Sequence, residues 1–318
     1  MNNLNKSENK TYIKSPLNYT GGKYKLLPSI LPLFPVKEDI DIFIDLFGGG
    51  FNVGINTDYN KIVYIDNCFE VVRLLIFIRT WDEDFNNTIK HMTEKYNLQY
   101  KNEESKIGYE KLKEKYNNSF LDSFFESIVF YTLITSSFSN QIRFNKDGKF
   151  NMPYGKRYYN PSMQKNMIEF SKALKNKNIA FLHYDYTYII ELVDEYIANG
   201  IDPSRIFVYI DPPYLGSVAT YCEQGKWNEK NETNLLYNVL NMLSTKNIKW
   251  GLSNNLKYGN IILEDWLKNA RSIEKINTET NKIERKELNI YDLNRDYSTC
   301  NYQKKNKSKD KEIFIANY

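Results

Sequence analysis

Short apolar, β-branched runs alternate with amphipathic stretches at both ends of the chain. DIFIDL at 41–46 and IVYI at 62–65 read as strands, each ending at an acid, Asp45 and Asp66, followed by a turn or helix signal. Helical spacing returns after Asp66 in EVVRLLIFIRTW, and lysine-rich helical periodicity without a strand signal continues from about 82 to 137. Residues 139–159 are polar and basic, with Asp147-Gly148 between two short β-like segments, which predicts a hairpin. Strand signals resume at 179–184, 205–210 and 248–253, separated by helical stretches that include 230–245. Two more strands are expected in KELNIY and KEIFIANY, with a lysine-rich loop at 304–311 between them. The pattern predicts one α/β domain, without internal repeats, interrupted by a helical insertion of about a hundred residues that ends in the hairpin.

Composition narrows the class. The 318 residues are 42% hydrophobic and 26% charged with 14 Gly and 9 Pro, which excludes disordered, collagenous and low-complexity chains. The formal net charge of +4 does not by itself indicate a polyanionic partner. The 26 Tyr accompany abundant Asn, Lys and Ile, amino acids that share A/T-rich codons, so they carry no functional meaning as a group. Cys68, Cys222 and Cys300 are odd in number and widely spaced, which argues against a disulfide framework or a zinc site. Together with a polar N-terminus and no apolar run of membrane length, this reads as a cytoplasmic, reduced protein with no membrane association and no metal.

Two segments carry chemistry. Asp45-Leu-Phe-Gly-Gly-Gly50 ends an apolar strand and is expected to open a helix, its glycines letting the backbone pass close under a ligand. Asp66 follows at the end of the next strand, where a carboxylate can accept from both ribose hydroxyls of a nucleoside cofactor, although the same residues could form an ordinary tight turn and a helix cap. The GxGxxG spacing of a dinucleotide site is absent. The second segment, Asp211-Pro-Pro-Tyr214, directly follows a strand. Pro212 and Pro213 stiffen the turn, so the Pro212 carbonyl and the Asp211 carboxylate can accept the two hydrogens of a nucleobase amine while the Tyr214 ring offers a face for stacking.

With these segments in order, the chain resembles the S-adenosylmethionine-dependent amino-group methyltransferases, and among them the Dam-type, phage-like DNA adenine methyltransferases. The resemblance spans nearly the whole chain: LNYTGGKYKLL at 17–27, the DLFGGG loop, Tyr64-Ile-Asp66-Asn, FSNQIRFN at 138–145, PYGKR at 153–157, DPPYL at 211–215 and GLSNN at 251–255. It implies a Rossmann-like methyltransferase sheet formed by residues 1–78 and 179–318, with a DNA-recognition domain at 79–178. It further implies methyl transfer to adenine N6 in double-stranded DNA within GATC, by base flipping and direct transfer without a metal.

The resemblance places Tyr19, Lys23, Asp45, Phe47, Gly48, Gly50, Asp66 and Asp211 around S-adenosylmethionine, with Lys23 against the methionyl carboxylate and His183 and Tyr184 against the cofactor adenine. It makes Asp211, Pro212, Pro213 and Tyr214 catalytic. In the hairpin it implies a base contact by Arg143, with Ser139, Asn145, Pro153 and Arg157 nearby, and it brings a separate cognate restriction endonuclease into view as a partner.

From Phe138 to Arg157 five basic residues face one acid, so the hairpin can enter the major groove or lie along phosphates. Phe138 is expected in the helical core rather than as a wedge beside a flipped base. The lysines of the tail loop, set against Asp310 and Glu312, are as consistent with a solvated loop as with phosphate contact. Two other readings stay open at this stage: a cytosine-N4 methyltransferase of the same geometry, and a non-catalytic DNA-binding homologue.

Overall fold

A computed structural model describes residues 11–19, 21–80, 83–118, 123–215, 227–256, 260–269, 272–276, 283–293 and 311–318. Its centre is a sheet whose parallel strands are β1 (Ile42–Leu46), β2 (Ile62–Asp66), β3 (Ile179–His183), β4 (Ile206–Ile210) and β5 (Lys249–Leu256). A separate antiparallel pair, β6 (Ser272–Ile276) and β7 (Ile283–Glu287), precedes β8 (Asn289–Asp292) and β9 (Lys311–Ala316), which complete the main sheet in the order β3-β2-β1-β4-β5-β9-β8. β9 runs antiparallel to β5 and β8 antiparallel to β9. β1, β2 and β4 are buried at every position, which is why they read as continuous apolar runs rather than alternating ones.

The helices are α1 (Leu27–Ile30), α2 (Phe69–Arg79), α3 (Glu83–Lys95), α4 (Glu103–Asn118), α5 (Ser123–Ser136), α6 (Pro161–Lys175), α7 (Ile189–Ala198), α8 (Glu229–Thr233), α9 (Leu240–Thr245) and α10 (Ile261–Asn269). Alternation along each strand divides the core in two. Phe43, Tyr64, Phe207, Tyr209 and Phe314 face one side and pack with α2 to α6. Ile44, Val63, Ile65, Val208 and Trp250 face the other and pack with α7, α10 and the stretch from α8 to α9, which passes through a π-helical segment at Asn234–Val239. The helical insertion therefore shares one continuous hydrophobic cluster with the sheet rather than owning a separate core.

The structure bears out the α/β rhythm and the helical insertion, and it corrects several details. The segment after the glycine loop opens no α-helix; a 3₁₀ turn at Gly54–Asn56 follows instead. The hairpin is held by two isolated antiparallel bridges, Ser137 with Tyr154 and Phe144 with Phe150, rather than by a regular ladder. The β6–β7 pair was not expected from the sequence. Cys68 is disulfide-bonded, contrary to the fully reduced reading. Lysines 304, 305, 307 and 309 lie outside the described residues. Glu312, grouped with the tail loop, is instead a completely buried residue of β9. Among the described residues no helix is long and apolar enough to cross a membrane.

Candidate active site at the carboxyl ends of the strands

Asp45 is the penultimate residue of β1, Asp66 the last of β2, and Asp211 directly follows β4, and chain order reverses between β1 and β4, which opens a crevice beyond their carboxyl ends. The loop after β1 turns sharply: Phe47, Gly49 and Phe51 all have positive φ, at 65°, 47° and 60°. The glycines are dictated as much by the protein's own rings as by any ligand. A Cβ on Gly48 would lie 2.3 Å from Cε2 of Tyr64, and one on Gly49 would lie 2.9 Å from the Tyr19 ring. Gly50 has the Tyr19 Cβ 3.2 Å from where its own would be. The Tyr64 hydroxyl donates to the Gly49 carbonyl at 2.8 Å and locks the loop over the sheet.

The carboxylates organise that backbone. Asp66 accepts from Gly49 N at 2.8 Å through one oxygen and from Cys68 N at 2.9 Å through the other, while Asp45 accepts from Gly54 N at 2.9 Å. Burial pushes the Asp45 carboxyl well above the usual range, and the charges of Asp211 and Asp66 push it further. Burial also raises Asp66, against the pull of the Cys68 and Gly49 amides and of His183. Beside Asp66, Tyr184 N donates to the Asp66 carbonyl at 3.2 Å, and the exposed Tyr184 ring stacks on Tyr188 with centroids 3.9 Å apart. His183 pairs with Asp66 in the ladder, its Nε2 3.1 Å from the Asn67 carbonyl and its ring 5.3 Å from that of Phe69. Phe47 stacks on Tyr186 at 5.4 Å and meets Trp227 edge-on at 5.5 Å.

Lys23 makes the least expected contact. Its side chain is 3% exposed, and its Nζ lies 2.7 Å from Asp211 Oδ1, 3.5 Å from Glu312 Oε1 and 2.9 Å from the Gly21 carbonyl. Lys23, expected from the resemblance against a cofactor carboxylate, pairs with two acids of the protein. The Tyr214 hydroxyl donates to Glu312 at 3.1 Å and to Asp211 at 3.4 Å, and its ring lies 5.0 Å below the Lys23 ammonium. Burial raises the Asp211 pKa to about 6; Lys23 opposes the shift and Glu312 adds to it. Pro212 is buried and Pro213 half-buried.

A further polar network was not legible in the sequence. Completely buried Glu232 accepts from Trp227 Nε1 at 2.7 Å and from Asn254 Nδ2 at 3.0 Å, and its carboxyl is raised by burial against those bonds. Tyr209 and Ser253 share a buried hydrogen bond of 2.8 Å. GLSNN stands out in the sequence as a motif, but its spacing does not give its partner Glu232 on α8.

The basic hairpin gathers on the same side of the chain as the Tyr19 segment, because Asn18 Nδ2 donates to the Ser139 carbonyl at 2.6 Å. Arg143 forks across the hairpin, Nε to Asn151 Oδ1 at 2.7 Å and Nη2 to the Asn151 carbonyl at 3.0 Å. Asn145 Oδ1 accepts from Asp147 N and Lys149 N and so closes the turn. The Pro153 carbonyl accepts from Phe138 N, and Arg157 Nη1 donates to Asn140 Oδ1 at 3.1 Å. Phe138 is 46% exposed, which corrects its expected place in the core. α5 ends at Ser136 and Ser137 is extended, so the chain leaves the helix before Phe138, and Ser139 then turns it with a left-handed φ of 54°.

Comparison with known proteins gives a consistent picture. Residues 19–311 match the model of the D12 class N6 adenine-specific DNA methyltransferases. The type II methyltransferase M.FokI of Planomicrobium okeanokoites is 34% identical over 325 residues, covering 99% of this chain and 44% of that protein. The modification methylase StsI of Streptococcus sanguinis is 30% identical over 329 residues, covering 100% of this chain and 45% of that one. A DNA adenine methylase of Serratia marcescens is 25% identical over 205 residues, 64% of this chain and 68% of its own length. The chain thus spans less than half the length of the first two relatives.

Proposed function

The chain belongs to the D12 class of N6 adenine-specific DNA methyltransferases, and we propose that it methylates adenine N6 in double-stranded DNA, within GATC, with S-adenosylmethionine as methyl donor. The observation that carries this reading is the Asp211-Pro-Pro-Tyr214 turn at the end of β4, adjoining the Asp45 and Asp66 loops. Two buried carboxylates, Asp45 and Asp66, and the half-buried Asp211, all raised by burial, stand with one ammonium at the strand ends; this cluster favours a cationic ligand, which fits a sulfonium bearing an α-ammonium group. Asp66 is the residue to hold the ribose, Phe47 to Gly50 and Tyr19 to line the loop beneath the cofactor, and His183 and Tyr184 to flank its adenine.

When bound, S-adenosylmethionine supplies a methyl group made electrophilic by the sulfonium. The protein's part is to bring an extruded adenine to it. Asp211 and the Pro212 carbonyl accept the two hydrogens of the amine, and Tyr214 offers the base a face. With its hydrogens held, the amine would direct its lone pair outward, toward the methyl group that the bound cofactor would supply, and Asp211 or water would take the one proton the nitrogen sheds. Positioning and electrostatic stabilisation supply the rate enhancement.

Residues 79–178, with Arg143, Ser139, Asn145, Pro153 and Arg157 on the hairpin, are the proposed DNA-reading part, and residues 1–78 and 179–318 the catalytic part. The match to proteins named type II methyltransferase and modification methylase supports a role beside a separate restriction endonuclease. Labelled methyl transfer into paired duplexes that differ only in one GATC tests the site. Label in the GATC duplex alone supports it, and equal label in both discards GATC while keeping the chemistry.

A further inference from the structure

Glu312 lies near the start of β9, after Lys311 and before the apolar run Ile313–Ala316. In β9 the residues that alternate with it on the same face, Phe314 and Ala316, belong to the core, and Glu312 itself has no exposed surface. A carboxylate at such a position is costly unless it is paired and hydrogen-bonded. Its Oε1 lies 3.5 Å from Lys23 Nζ and 3.1 Å from the Tyr214 hydroxyl, two groups that both also contact Asp211. The antiparallel register sets Glu312 opposite Asn255 of β5, one strand away from β4 and the turn that carries Asp211.

We infer that Glu312 is a positioning residue for methyl transfer: by sharing the Lys23 ammonium and anchoring the Tyr214 hydroxyl, it keeps Asp211 an effective acceptor for the target amine. The ammonium has three N–H groups and three acceptors around it, the Gly21 carbonyl, Asp211 and Glu312. With Asp211 alone, Lys23 would form a neutral pair and cancel the charge that the reaction uses. With Glu312 the cluster holds two carboxylates to one ammonium and remains net negative. That charge faces a nitrogen that becomes cationic as its bond to the methyl carbon forms and the C–S bond breaks, and that then releases one proton. Preorganised charge of this sign stabilises the developing cation. Tyr214, hydrogen-bonded to both acids, is held by the same group that holds Lys23.

The inference rests on the activity proposed above, and one experiment separates the two. Single-turnover methyl transfer from labelled S-adenosylmethionine into duplex DNA is measured across pH for the wild-type chain, Glu312→Gln and Glu312→Asp, with cofactor affinity and thermal melting recorded in parallel. An inactive wild-type chain refutes the proposed function itself. Given an active wild type, Glu312→Gln is expected to slow single-turnover transfer about tenfold or more with cofactor affinity little changed. Its acid limb should move to lower pH, and Glu312→Asp should recover part of the rate. A folded Glu312→Gln with the wild-type rate and an unmoved acid limb overturns the inference. Loss of a cooperative melt in both variants overturns it as well, because the residue then serves stability alone.

Discussion

Asp211 Oδ1 lies 2.7 Å from Lys23 Nζ, so the acid that directly follows β4 and the buried lysine that follows the Gly21-Gly22 turn form one ion pair. The pair joins the first motif of the chain to the one most directly concerned with chemistry, 188 positions apart. It also sets the ionisation of the site. Burial alone would push Asp211 upward; Lys23 moderates the rise and Glu312 reinforces it, leaving the pKa at about 6.

The first prediction follows from that value. A proton on Asp211 removes the acceptor that orients the target amine, so kcat/KM for duplex DNA should be level above about pH 6 and fall below it. The limiting slope is about tenfold per pH unit. Initial rates at low DNA concentration in buffers of constant ionic strength check this. A profile that stays flat down to pH 5 contradicts it.

Asp66 offers a separate test of cofactor binding. Hydrogen bonds to a charged acceptor contribute about 1.5–3 kcal/mol each. Asp66→Ala, which also releases the Gly49 amide, is therefore expected to weaken S-adenosylmethionine binding about 10- to 100-fold, measured by titration calorimetry. Unchanged affinity in a folded variant would remove Asp66 from the cofactor site.

The glycine loop makes a purely steric prediction. Gly48→Ala places a Cβ 2.3 Å from the Tyr64 ring and should lower stability by about 1–3 kcal/mol. Adding Tyr64→Leu should return part of the loss, because the ring that clashes is gone. Denaturant melts of the two single variants and the double variant measure the coupling, and additive losses would show that the ring does not dictate the glycine.

On the hairpin, exposed Lys146 and half-buried Arg143 should behave differently. Lys146→Gln is expected to weaken binding to every duplex alike and to reduce the slope of log affinity against log salt by about 1. Arg143→Ala should cost about 1–3 kcal/mol of discrimination between duplexes. Anisotropy titrations over a salt series distinguish the two. Arg143 forks onto Asn151 in the free chain, so Asn151→Ala should also lower discrimination by freeing the guanidinium from its set orientation.

Much of this was legible because it is local. β1, β2 and β4 are fully buried parallel strands, so their apolar runs and terminal acids stand out, and the Asp211-Pro-Pro-Tyr214 turn is contiguous. What escaped the reading depends on distant pairing. Glu312 looked like one acid among tail lysines, because nothing in the sequence says that β9 inserts antiparallel beside β5 and turns that side chain toward Lys23. Glu232 was hidden in a helical stretch and acquires its meaning only from Trp227 and Asn254. In the sequence the glycines suggest room for a ligand, whereas the Tyr64 and Tyr19 rings occupy the space their side chains would need. Phe138 follows an apolar helix in sequence, but α5 ends at Ser136 and the extended Ser137 takes the chain out of it, leaving Phe138 exposed.

The central claim is that Asp211 holds an adenine amine for methylation. Its most direct test is incorporation of label from S-adenosylmethionine into duplex DNA by the wild-type chain and by Asp211→Asn, read after digestion to nucleosides. The account predicts N6-methyladenine from the wild type and at least about 100-fold less from a folded Asp211→Asn. Label in cytosine, no label from the wild type, or an unimpaired Asp211→Asn would contradict it.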